Sequence, residues 1–126
     1  MERLDSGAAP LLAPARQLDR LKKRREFLRA AARGKRAARP GLVLQALAVP
    51  EPSLRLGFTV TKKIGNAVIR NRARRRLKEA ARLTLPGMGL SGWDLVLIGR
   101  DATAERSFAL LIEDLRGALR QAGVVP

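Results

Sequence analysis

The segment at residues 62–82, KKIGNAVIRNRARRRLKEAAR, constrains the fold more than any other. Gly65 and Asn66 interrupt what precedes it, and Asn66 is a favourable N-cap for a helix running to about Leu83. On that helix Ile69, Ala73, Leu77, Ala80 and Thr84 recur at spacings of three and four, which gives one narrow apolar stripe. Asn71, Arg72, Arg74, Arg75, Lys78 and Arg82 fill the opposite arc, with Arg70 and Arg76 flanking the stripe. The seam faces a core and backs a cationic surface.

Flanking segments supply that core. Residues 42–49, LVLQALAV, are apolar on both faces except at Gln45, which argues for a strand covered on both sides. Residues 54–61, LRLGFTVT, alternate: Leu54, Leu56, Phe58 and Val60 point one way, and Arg55, Gly57, Thr59 and Thr61 the other. With Pro50 to Ser53 as the turn, these two strands are expected to form a hairpin. The polar face of the second strand suits phosphates and sugars. Residues 93–100, WDLVLIGR, read as a further strand buried in its middle, and Trp93, Phe58 and Phe108 are assigned to the core. Phe108, Leu111, Ile112, Leu115, Leu119 and Ala122 mark an amphipathic helix over about 103–123.

Upstream, residues 23–33, KRREFLRAAAR, have helical spacing, with Phe27, Ala30 and Ala31 on one face, Arg24, Arg25 and Arg29 away from it, and Gly34 as the C′ residue. Residues 1–15 show little periodicity and read as a flexible tail, which leaves 16–126 as one domain. Helix, strands, helix, strand, helix is the order of an α+β sandwich. If the strands on either side of the arginine helix pair in parallel they make a βαβ crossover, for which the general rule is a right hand.

Charge narrows the function. Twenty-six Lys and Arg against eleven Asp and Glu give a formal net charge of +15, and such self-repulsion implies a polyanionic partner. No apolar run approaches the roughly 20 residues of a spanning helix, and PLLAPA at 10–15 is too short and proline-broken for a signal peptide. A cytoplasmic protein that binds nucleic acid and no membrane is therefore expected. Eleven basic residues fall in 16–39 and nine in 62–82, where Glu79 is the only acid. Like charges four apart, such as Arg70 with Arg74, disfavour an isolated helix, so a merely solvated face would mix signs. The chain has no His, Cys or Tyr, which removes the commonest general base, thiolate chemistry and the commonest metal ligand. Asp94 and Asp101 are isolated carboxylates and make no metal site.

Around Arg70, Asn71 and Arg72 the segment closely resembles the signature of the bacterial ribonuclease P protein family. The likeness extends back through LRLGFTVT to RLKKRREFLRAAARGK, the place of the family's first helix, and forward to Gly99-Arg100 and the closing helix. It implies a single domain of αβββαβα order: a two-layer sandwich with a four-stranded sheet, ribosomal protein S5 domain 2-like, with a short extra strand near 35–38 and a left-handed crossover. It also implies a ribonucleoprotein that removes the 5′ leader from precursor tRNA. In that family the RNA subunit holds the catalytic Mg²⁺ and performs the hydrolysis, so no catalytic residue, metal or cofactor is expected on the protein, and no DNA partner.

By the same resemblance, contacts to the catalytic RNA come from Lys62, Lys63, Asn66, Arg70, Asn71, Arg72, Arg74, Arg75, Lys78 and Arg82. Contacts to the 5′ leader, in a cleft between the first helix and the sheet, come from Phe27, Gln45, Thr59, Thr61 and Arg100. The residue chemistry agrees: arginine's planar fork grips phosphate bidentately, and a phenylalanine ring stacks on bases with little sequence preference. The family commonly has aromatic residues where this chain has Ala31 and Gln45, so stacking there is expected to be weaker, or replaced by hydrogen bonds and charge. The competing readings are a structural RNA-binding protein of the ribosome or translation apparatus, which the ordered GNAVIRNR disfavours, and a protein nuclease, which the missing His, Cys and Tyr and the lack of clustered Asp or Glu disfavour.

Overall fold

A computed structural model describes residues 18–126; the tail expected at 1–15 lies outside the described residues. In chain order the elements are β1 (Leu18–Arg20), α1 (Arg24–Arg33), β2 (Lys35–Arg39), β3 (Leu42–Ala48), β4 (Leu54–Thr59), α2 (Ala67–Thr84), β5 (Trp93–Gly99) and α3 (Phe108–Gln121), with single 3₁₀ turns at Lys62–Ile64 and Pro86–Met88.

The sheet runs β1-β4-β5-β3-β2. β4 pairs in parallel with both β1 and β5, and β3 pairs antiparallel with β5 and β2. The expected hairpin between β3 and β4 is therefore not formed, because β5 lies between them. Leu95, Val96 and Leu97 give β5 apolar side chains on both faces, all buried, and a central position is the one that covers both. The loop between β3 and β4 is instead tied to the start of β5, with Val49 N–H donating to Gly92 O (2.9 Å) and Gly92 N–H to Ser53 O (2.8 Å). The sheet has five strands rather than four, since Leu18–Arg20 adds a parallel rung beside Leu54–Leu56. The short strand expected near 35–38 is present as β2.

One face of the sheet carries the main core. Leu42, Leu44, Leu54, Leu56, Leu95 and Leu97 pack against Ala73, Leu77 and Ala80 of α2 and Leu111, Leu115 and Leu119 of α3. Each leucine side chain so withdrawn from water stabilises the fold by about 1.5–3 kcal/mol. Phe58, Trp93 and Phe108 pack on this cluster while remaining half-exposed. Among the described residues the other face is covered only by α1, through a small cluster of Leu21, Ala30 and Val96 with Phe27, Leu47 and Ile98. A thin third layer is thereby added to the helix-on-sheet sandwich.

Three local expectations change. Ile69 does not anchor α2: it is 37% exposed beside Val68 at 75%, and burial of the stripe begins at Ala73. The last helix starts at Phe108 rather than near 103, because the Thr103 hydroxyl accepts from Arg100 N–H and donates to Gly41 O, both at 2.7 Å. Gly34 ends α1 in extended rather than left-handed conformation. A Cβ there would lie 2.5 Å from Ala30 O and 2.9 Å from Ala46 O, so close approach is what requires glycine.

Candidate nucleic-acid interface

The interface begins with how α1 is pinned. Asp94 on β5 is fully buried and is held by Arg55 through Nε (2.8 Å) and Nη2 (2.7 Å), while Arg29 of α1 approaches it at 3.5 Å. The remaining nitrogen of Arg55 donates to Glu26 at 2.8 Å. The other Glu26 oxygen accepts from the backbone N–H groups of Lys22 and Lys23, both at 2.9 Å, which caps α1. Those backbone donors, followed by the Arg55 guanidinium, lower the Glu26 carboxyl to about 2. Its two carboxylates push the Arg55 guanidinium still higher. An ionic chain from β5 through β4 to the first turn of α1 thus fixes a helix that has little apolar anchoring.

Beyond α1 the described residues leave the sheet face open. Register places Arg36, Gln45, Val96 and Gly57 in one row and Ala38, Val43, Ile98 and Thr59 in the next. The Phe27 ring lies so close over Gly57 that a Cβ there would meet its Cε1 at 2.5 Å, which makes Phe27 both anchor and wall. Phe27 and Thr59 line one groove of about 400 Å³, together with Arg24, Leu28 and Arg74. Gln45 sits half-buried across β5 from them. Arg100 stands at the rim, its guanidinium donating to Arg39 O at 2.8 Å. Thr61 lies past the end of β4, ahead of the Lys62–Ile64 turn, and is not among the residues lining that groove. Sequence reading omitted Arg24, Leu28 and Arg36 from the cleft. Arg36 is recoverable only from its pairing with Gln45, which needs the β2–β3 register.

The RNA-contact candidates on α2 divide between two flanks. Asn66 caps the helix, its side-chain oxygen accepting from Ile69 N–H at 3.0 Å, so that acceptor is turned inward. Gly65 before it has φ +152, a conformation that favours glycine. Arg70 donates to Gly65 O (3.3 Å) and Arg74 to Asn71 Oδ1 (3.2 Å), and Arg74 reaches the cleft groove. On the other flank Arg72 lies 4.0 Å from Glu105, a pair exposed enough to contribute little. There Arg76 donates to the carbonyls of Thr103 (3.1 Å) and Arg106. Arg82 is engaged with Glu79 at 2.6 and 3.0 Å, which also holds the Glu79 carboxyl below its ordinary value. Among the described residues Lys62, Lys63, Arg70, Arg74, Arg75 and Lys78 make no ion pair, and with the weakly paired Arg72 these are the candidate cations left for a polyanion.

Among the described residues no group of three or more His, Cys, Asp or Glu gathers in metal-binding proximity, and no helix is long and apolar enough to cross a membrane. Asp114, like Asp94, is buried and committed, accepting from Arg106 and from Gly41 N–H (3.0 Å).

A basic α+β domain with a cation-lined helix beside an open sheet face defines a small RNA-binding protein. The family model for Ribonuclease P matches residues 16–123. The "Ribonuclease P protein component" of Gluconacetobacter diazotrophicus is 60% identical over 106 residues, covering 83% of this chain and 91% of that one. That of Paramagnetospirillum magneticum is 51% identical over 116 residues, covering 88% and 87%. Among solved structures, the RNase P protein of Staphylococcus aureus superposes with TM-score 0.72 at 27% identity, covering 85% of this chain and 97% of that one. The Thermotoga maritima protein gives 0.70 at 29%, covering 82% and 96%. The chain belongs to the ribonuclease P protein family, the protein component of that ribonuclease.

Proposed function

We propose that the chain serves ribonuclease P by binding alone: α2 docks the catalytic RNA, and the cleft between α1 and the sheet holds the 5′ leader of precursor tRNA. The observation that carries this reading is the helix itself. Its one acid, Glu79, is already paired with Arg82, so Arg70, Arg74, Arg75 and Lys78 have no ion-pair partner among the described residues. Rigid spacing on 18 residues of helix keeps them in register with a folded polyanion. The open sheet face, with Phe27 at its wall, offers a single strand one stacking surface and hydroxyl, amide and guanidinium partners at Thr59, Gln45 and Arg36.

The chemical step falls to the RNA, with Mg²⁺ held there. Support comes from the side chains available: the sequence has no His, Cys or Tyr, and the buried carboxylates Asp94 and Asp114 are locked against arginines. Comparing the affinity of the assembled ribonucleoprotein for leader-bearing and mature tRNA tests the division of labour. Phe27→Ala is expected to weaken binding of leader-bearing tRNA several-fold more than that of mature tRNA. Equal losses for both would assign Phe27 to packing only and remove the cleft from the account.

A further inference from the structure

The cleft uses Arg74 on one flank of α2, and a second depression lies on the opposite flank. Arg75, Arg76 and Glu79, with Phe108 from the first turn of α3, line a pocket of about 370 Å³. Three features give it the chemistry of a nucleotide site. Arg76 is immobilised by the Thr103 and Arg106 carbonyls, and its guanidinium carbon lies 5.7 Å from the centroid of the Phe108 ring. A planar cation and an aromatic ring thus form a fixed corner. Arg75, next in the helix, is exposed and makes no ion pair among the described residues. Glu79, the acid that would otherwise neutralise the pocket, is turned to Arg82. The volume is at the lower end of small-molecule sites, which suits one base with its sugar.

We propose that this pocket receives a single unpaired nucleotide of the catalytic RNA subunit, its base against Phe108 and Arg76 and its phosphate on Arg75. The RNA subunit is the source because the pocket lies on the flank of α2 away from Phe27 and Thr59, where a leader in the cleft does not reach. It rests on the reading that α2 docks that RNA, and it extends the dock onto α3. Phe108 also packs on the main core, but core packing alone asks for an apolar side chain and not for a ring flanked by two arginines.

The test is binding of the full chain to the transcribed RNA subunit at fixed salt and Mg²⁺, with Phe108→Leu, Phe108→Tyr and Arg72→Ala beside the unaltered protein. Phe108→Leu is expected to weaken binding about ten-fold, within the range of base–aromatic stacking. Phe108→Tyr is expected to stay within about two-fold, and both are expected to leave the ratio between leader-bearing and mature tRNA unchanged. Unchanged RNA affinity in Phe108→Leu, or a loss confined to leader-bearing tRNA, overturns the pocket assignment while Arg72→Ala still reports the dock. If Arg72→Ala also binds normally, the docking reading itself fails and the pocket with it. Should Phe108→Leu unfold, benzoylphenylalanine placed at position 108 retains a ring. Photocrosslinking of the assembled ribonucleoprotein is then expected to mark one unpaired nucleotide of the RNA subunit, and a crosslink to tRNA alone, or none, overturns the proposal.

Discussion

At the scale of residues, the ionic chain Asp94–Arg55–Glu26 sets where α1 lies, and so how wide the cleft is. Removing Arg55 would leave the fully buried Asp94 without its two-pronged partner, and an uncompensated buried charge typically costs about 3–5 kcal/mol. Arg55→Ala is therefore expected to lower unfolding free energy by about 3 kcal/mol in urea titration; a change under about 1 kcal/mol would mean that Arg29, 3.5 Å from Asp94, takes over as its partner. Glu26 predicts a pH dependence. Its carboxyl lies at about 2 in the fold, against an ordinary value of 4.5, so the unfolded chain binds the proton more readily. The stabilisation is complete above about pH 4.5 and disappears as pH falls toward about 2. In Glu26→Gln that segment of the stability curve should flatten, and a curve parallel to that of the unaltered protein would remove Glu26 from the account.

At the scale of elements, α2 and α3 were legible because a 3.6-residue period over many positions leaves little choice, and the Asn66 cap is local chemistry. Strand partners were not, because pairing is decided by all strands at once. Chain proximity and the Pro50 turn favour a hairpin of β3 with β4, yet β5 needs cover on both faces and takes the place between them. β1 has three residues and no period, so only its pairing with β4 reveals it. The candidate contacts were legible as residue types, but their division between two flanks of α2 was not. Residues one apart on a helix differ by about 100° in direction, so Arg70, Asn71 and Arg72 cannot share one face, and Arg72 and Arg74 end on different flanks. Arg72→Ala and Arg74→Ala are each expected to weaken binding of the RNA subunit and to shallow its dependence on log salt by up to about one unit. Because Arg74 lines the groove with Phe27, its loss should also reduce the preference for leader-bearing tRNA, whereas that of Arg72 should not. An unchanged salt slope in both variants would mean that neither side chain meets phosphate.

At the scale of the whole molecule, the net charge of +15 is divided between two surfaces that a common sheet holds in fixed relation. On the proposed function one carries the dock and the other the strand to be released, which would make the fold a ruler between catalytic RNA and substrate. The central claim is that this chain contributes binding and the RNA contributes chemistry. It is tested most directly by following 5′-leader release from precursor tRNA across a Mg²⁺ titration with protein alone, RNA subunit alone and both together. The account predicts no cleavage by protein alone, cleavage by the RNA subunit only at high Mg²⁺, and cleavage by the pair at much lower Mg²⁺. Robust leader release by protein freed of RNA would contradict it.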